Sequence, residues 1–331
     1  MRTTPTCLTC ILGDVYAAAQ QVTPDVGLQL KVARDAMSFL AGSFGHERVP
    51  SYYITGVHRI LKRDTGVRVP FAESRRRLNQ VAMEIAAQVQ AEAVRLDGAA
   101  RFRHLALWAL AGNSLDSRTV GIGYDFTPEK TREHLQGYVD RGIALDHLDR
   151  LYQQVLAKPA LLYIHDNVGE IVLDKLLIQE LRRHGCRVTS ALRGGPITSD
   201  ATMEDGRAVG LDAAADRLIQ AGPDTLGISW EEASPELRQA MQDAPLIIAK
   251  GQRYCAEAIA PHYKELDGAS ITSKNQPPPV CLARARRSLS TRASCHLAQR
   301  PSTFRESSTP CAPLRHTCRE SLLYPDRKRT R

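Results

Sequence analysis

The 331-residue chain is poor in aromatic residues, which make up 5% of it, with only 2 tryptophans. A nucleic-acid face needs basic side chains interleaved with aromatic stacking platforms on a folded element. Residues 1–267 supply no such stretch, so no specific nucleic-acid partner is expected. Long apolar runs are missing too. None approaches the roughly 18–20 residues that a membrane span requires. The opening MRTTPTCLTCIL is broken at Thr9 and turns charged at Asp14. Neither a secretory leader nor a membrane attachment is expected from it, and a cytoplasmic location is the default. In that compartment the eight cysteines do not read as a disulfide framework. Cys7-x-x-Cys10 is half of a zinc-ribbon spacing without a second close pair after it; two small apolar residues at a helix start is the plainer reading. Three nucleotide or hydrolase motifs are absent as well. No G-x-G-x-x-G follows a strand pattern, RGGPITSD lacks the Gly-Lys-Ser/Thr ending of a P-loop, and there is no G-x-S-x-G elbow.

What is present is an ordinary globular composition, 43% apolar and 24% charged, with enough length for two linked lobes. The net charge of +8 is unevenly spread. Residues 268–331 hold 13 Lys+Arg against 3 Asp+Glu, which leaves 31 basic and 33 acidic residues in the body. Within the same 64 positions lie 7 Pro and 9 Ser, a composition that cannot offset the entropy cost of folding by apolar burial. A disordered basic tail and a stretch read in a shifted frame both produce such a segment at 267–331.

Ahead of it the chain has two grammars. Residues 1–150 read mainly as helices. DVYAAAQQV and QLKVARDAMSFLAG carry helical spacing, and SRRRLNQVAMEIAAQVQAEAVRL puts Leu78, Val81, Ile85, Val89 and Val94 near one stripe, with Gly98 as its stop. From 151 to 266 the pattern is strand, helix, strand, helix. ALLYIH, CRVTSAL, DTLGIS and PLIIAK read as strands and IVLDKLLIQELRRHG and PELRQAM as helices. Nearly continuous apolar strands separated by crossover helices predict an α/β fold, a Rossmann-like parallel-sheet lobe following an N-terminal helical lobe.

In open parallel sheets ligands bind beyond the carboxyl ends of the strands. Asp166 and Asn167 follow the first strand, Asp200 ends the loop after the second, and Lys250 follows the last. Two carboxylates and an amide oxygen form a hard, oxygen-only set suited to Mg²⁺ or Mn²⁺. A converging lysine suits a phosphate. Glu170 falls in a helix first turn, where it either complements the dipole or touches substrate. Arg193, with Gly194 and Gly195, reads as an anion-binding turn or a solvated loop. Alternation directs His165 away from the side of Asp166, into the packing.

The string LLYIHDNVGEIVLDKLLIQEL (161–181) resembles the DNxGE signature of the metal-dependent damage-control phosphatases. AGNSLD (111–116) resembles that family's GNxxD segment, RGGPITSDAT (193–202) its RGxPxxNDxT loop, and KGQ (250–252) its KGxxN loop. The likeness spans roughly residues 5–266. It implies one divalent cation (Mn²⁺, Mg²⁺, Co²⁺ or Ni²⁺) held by Asp166, Asn167 and Asp200, with Lys250 on a substrate phosphate. Asn113 and Asp116 would reach in from the helical lobe. The implied activity is hydrolysis of small phosphomonoesters, such as sugar phosphates or damaged and side-product metabolites, with catalytic roles for Asp166, Asp200 and Lys250. Two departures stand out: Ser199 replaces the Asn before the loop Asp, and the Asn after Lys250-Gly251 is missing. The alternatives are an S-adenosylmethionine-dependent methyltransferase, which wants a glycine-rich turn where DNVGE has one glycine, and an inactive relative that binds metal or metabolite.

Overall fold

The computed structural model describes residues 3–115, 127–157, 159–251, 263–273 and 280–285. Asp116 lies outside the described residues.

Three helices come first: α1 (Pro5–Val22), α2 (Val26–Ser43) and α3 (Pro50–Thr65). Each starts where local chemistry favours it. Proline sits in the first turn of α1 and of α3, and the Asp25 carboxylate caps α2 by accepting from the Gly27 and Leu28 amides. Their apolar faces close on one another through Ile11, Val15, Val32, Leu40, Tyr53, Val57 and Leu61, a core separate from that of the sheet.

Next come α4 (Ala72–Ala93), α5 (Gly98–Gly112), a single 3₁₀ turn (Asn113–Leu115), α6 (Pro128–Arg141), β1 (Ile143–Leu145) and α7 (Leu148–Leu156). The expected stripe of α4 is buried at Leu78, Val81, Ile85 and Val89, whereas Val94 lies past the helix end and is exposed. Gly98 does not stop this helix. It opens α5, with φ of 50°.

The α/β part follows: β2 (Ala160–Ile164), α8 (Glu170–Arg183), β3 (Arg187–Leu192), α9 (Met203–Ala208), α10 (Leu211–Ala214), β4 (Arg217–Gln220), α11 (Pro235–Asp243), β5 (Leu246–Ala249), β6 (Tyr263–Ser273) and β7 (Val280–Ala285). One 7-stranded sheet runs in the order β1-β6-β7-β5-β2-β3-β4. Strands β5, β2, β3 and β4 are parallel, with Leu162 opposite Thr189 and Ile247. This bears out the α/β parallel-sheet expectation. Alternation sends Leu161, Tyr163, Val188 and Leu246 to one face and Leu162, Ile164, Ala191 and Ile247 to the other. The first face is covered by α8, which itself packs against α4 and α5; it is therefore buried on most sides, with the acids Glu170, Asp174 and Glu180 included. The second face is covered by α11, through Leu237 and Met241. Helices α4 and α5 thus share one core with the sheet, so the packing has no seam near residue 150.

Two expectations differ from the structure. DTLGIS (224–229) is a loop, and the third parallel strand is RLIQ at 217–220. The reason is exposure: β4 is an edge strand with Arg217 and Gln220 in solvent, so it lacks the continuous apolar run that marks a central strand. The stretch after residue 267 also contains regular structure. Strands β6 and β7 pair antiparallel and β7 extends the edge of β5, with Ile247 opposite Ala283. Backbone pairing onto an open strand edge requires extended chain, not an apolar period.

Candidate active site at the carboxyl ends of the strands

Two loops leave neighbouring parallel strands and are sewn together by their backbones. Asn167 and Asp200 form an isolated antiparallel bridge. The Ala201 amide donates to the Asp166 carbonyl at 2.7 Å, and the Val168 amide to the Ser199 carbonyl at 2.9 Å. The candidate residues from two separate crossovers therefore meet. Asp166 is half-buried and Asn167 and Asp200 are buried.

Each side chain is held in a defined pose. Asn167 donates from Nδ2 to Asp166 Oδ2 at 3.0 Å and to Glu170 Oε2 at 3.3 Å, while its Oδ1 accepts from Ser199 Oγ at 2.8 Å. The serine that departs from the family pattern thus fixes the amide's orientation. Asp200 accepts from Arg193 Nε at 2.9 Å through Oδ2 and from Thr198 Oγ1 at 3.3 Å through Oδ1. Arg193 is buried on that carboxylate. The glycine after it is required by close approach, since a Cβ at Gly194 would lie 2.6 Å from the Gly222 carbonyl oxygen. Thr198 has a φ of 44°, a left-handed conformation that costs a β-branched residue free energy and that clusters at functional loops.

Lys250 sits behind this pair, 1% exposed. Its ammonium donates to the Ala109 carbonyl at 2.8 Å and to Asp174 Oδ1 at 2.7 Å, and lies 2.5 Å from Glu170 Oε1. Two hydrogen bonds and an ion pair thus tie the lysine, expected on a phosphate, to a carbonyl and two buried carboxylates. Asp174 also accepts from Tyr163 OH at 2.8 Å and pairs with His165 Nδ1 at 2.9 Å. His165 is packed as alternation indicates and stacks on Tyr163. Burial pushes the Glu170 carboxyl up to about 7, against the pull of Lys250. Burial also opposes ionisation of Asp174, but Lys250 and His165 hold it below the usual carboxylate range. Lys250 is raised: burial disfavours its charge and the two carboxylates more than compensate.

Asn113 reaches the margin of the cluster from the end of α5. A Cβ on the preceding Gly112 would lie 3.5 Å from the Glu170 Cα, and Asn113 Oδ1 is buried without a hydrogen-bond partner among the described residues. The structure therefore brings together Asp166, Asn167, Glu170, Arg193, Asp200 and Lys250, with Asn113 beside them.

Asp174, Arg75 and Asn79 are site residues that the sequence reading missed. Asp174 is legible in hindsight as the one acid in the apolar run IVLDKLLI, one turn after Glu170.

The donor set fits a hard cation. Two carboxylates, an amide oxygen and the half-open face of Asp166 match the few protein ligands that Mg²⁺-like ions take alongside water and substrate. No group of three His, Cys, Asp or Glu that could hold a metal ion is found among the described residues. Zinc-type ligation is foreign to the donor set.

Fold and cluster together define an α/β protein with a candidate site beyond the carboxyl ends of parallel strands, lined by acid and amide oxygens. The damage-control phosphatase ARMT1-like domain model matches residues 3–260, and the chain belongs to that family. It is similar to a damage-control phosphatase of Archaeoglobus fulgidus, 32% identical over 252 residues that cover 76% of this chain and 85% of the relative. A damage-control phosphatase of Pyrococcus horikoshii is 28% identical, over 74% of this chain and 82% of the relative. The crystal structure of a DUF89 family protein from Pyrococcus horikoshii superposes with a TM-score of 0.69 at 28% identity, covering 77% of this chain and 86% of that one. These relatives support a phosphatase role. No helix among the described residues is long and apolar enough to cross a membrane.

Proposed function

We propose that this chain is a divalent-metal-dependent phosphatase that hydrolyses small phosphomonoesters, sugar phosphates or damaged and side-product metabolite phosphates. The observation that carries the reading is the backbone bridge that brings Asp166, Asn167 and Asp200 to one place. Asp166, Asn167 and Asp200 would hold Mn²⁺, Mg²⁺, Co²⁺ or Ni²⁺, which when bound supplies charge to offset and polarise a phosphoryl group.

The protein's own groups divide the remaining work. Asp200 is locked by Arg193 and Thr198 and serves as a fixed ligand. Asp166 is the more accessible carboxylate and orients the attacking water. Lys250 acts from behind through Glu170 and Asp174, keeping net negative charge at the site low enough for an anionic substrate. Asn113 offers an unused amide oxygen to the leaving group or its hydroxyls.

The test is a phosphatase screen over sugar and cofactor phosphates with each of the four metals, wild type against Asp166→Ala. Turnover confined to the wild type and to added metal is expected. Equal turnover in the variant would refute the mechanism.

A further inference from the structure

One face of α4 touches both of the loops just described. Arg75 and Asn79 are spaced i, i+4, so they project from neighbouring turns of the same side, and they are 4% and 5% exposed. Arg75 Nη1 donates to the Thr198 carbonyl at 2.9 Å; Nη2 donates to the Asp200 carbonyl at 2.7 Å and to Asp205 Oδ2 at 2.5 Å. Asp205 in turn closes the capping box of α9 with Thr202. The guanidinium thus grips the second loop on both sides of Asp200. One turn further on, Asn79 Oδ1 accepts the Gly169 amide at 2.7 Å, which anchors the end of the Asp166–Asn167 loop.

We infer that Arg75 and Asn79 are positioning residues: a two-point clamp on one helix that sets the separation of the two ligand-bearing loops and so the affinity for the cation. The inference rests on the reading of Asp166, Asn167 and Asp200 as ligands. Its physical basis is rigidity. A helix of 22 residues (Ala72–Ala93) fixes the spacing of its own side chains, and both clamps bond backbone groups, so loop position is fixed independently of ligand rotamers. The Asp200 loop needs this, because Thr198 is held at a φ of 44° and an unclamped chain would relax from it. Outer partners of this kind set metal affinity by about 10–100-fold in other sites.

The experiment is Mn²⁺ titration calorimetry and metal-free urea unfolding on the full chain. The variants are Arg75→Gln, Asn79→Leu, Arg75→Lys, Asp166→Ala and Arg101→Gln. Arg101 is the control: it is buried, bonds Glu180 and the Ala93 carbonyl, and lies away from both loops. Arg75→Gln and Asn79→Leu are expected to weaken Mn²⁺ binding by about 10–100-fold, while Arg101→Gln loses stability and binds Mn²⁺ as the wild type does. Arg75→Lys keeps the charge but cannot reach both carbonyls, so it weakens binding too; it carries the test if Arg75→Gln does not fold. Mn²⁺ affinity in the Arg75 and Asn79 variants equal to that of Arg101→Gln would overturn the clamp while loss in Asp166→Ala upheld the ligand reading. Equal Mn²⁺ binding by wild type and Asp166→Ala would overturn the ligand reading and the clamp with it.

Discussion

Substituting Gly251 by alanine should disable the site through a single methyl group. Gly251 follows Lys250 at the end of β5 with a φ of 89°, and a Cβ there would lie 2.4 Å from Asp166 Oδ2 and 2.6 Å from its Cγ. Two costs follow. A left-handed L-residue costs about 1–2 kcal/mol, and swinging the Asp166 carboxylate off its rotamer costs about 0.5–1.5 kcal/mol more. The sum, about 1.5–3.5 kcal/mol, corresponds to a fall in the melting temperature of about 2–5 °C for a chain of this size. The sharper consequence concerns the ion. At a concentration of about 100 times its Kd, a bound ion adds about 2.7 kcal/mol of stability. Gly251→Ala should lose that increment, because the displaced carboxylate is one of the proposed ligands. Scanning calorimetry with and without Mn²⁺ reads both effects. A variant that melts with the wild type and retains the full Mn²⁺ increment would refute the argument.

Two further outcomes follow from the charge networks. Asp174→Asn leaves three buried donors, from Tyr163, His165 and Lys250, competing for one acceptor oxygen; a loss of about 3–5 kcal/mol in urea unfolding is expected, as for a broken buried ion pair. Asp224 is the second case. Burial opposes its ionisation, yet Lys62 and Arg59 hold its carboxyl below the usual carboxylate range. A depressed acid contributes stability that is full above the unfolded value and is lost as pH falls through the folded one. Asp224→Asn should therefore be less stable than wild type by about 0.2–1 kcal/mol at pH 7, with the difference shrinking progressively as pH falls below the usual carboxylate range of about 3.9. Urea midpoints of both proteins across that range check it.

Much of the architecture was readable because burial leaves a compositional mark. The strands Ala160–Ile164 and Leu246–Ala249 are buried on both faces and read as unbroken apolar runs. β4 escaped because its edge position permits Arg217 and Gln220, and DTLGIS mimicked a strand although the Leu226 amide is engaged by Thr55 of α3. The candidate ligand residues were legible because they follow strand ends within short motifs. Arg75 and Asn79 were not, because their roles come from contacts as far as 130 residues apart in sequence. On its own helix, Arg75 looks like one more charge on a solvated face. Lys250 shows the converse limit: its place at a strand end was visible, but its engagement with Ala109, Asp174 and Glu170 depends on how α5 and α8 pack.

The separate core of α1–α3 has its own consequence. These helices meet the rest of the molecule largely through polar bonds. Lys62 donates to the Pro196 carbonyl and pairs with Asp224, Arg59 pairs with Asp224 and Glu232, and Arg48 with Glu231. A greasy joint holds at any ionic strength, whereas an electrostatic one slackens as counterions gather. The grip of the leading three-helix bundle on the loop that carries Asp224, Glu231 and Glu232 is thus tuned by the surrounding electrolyte.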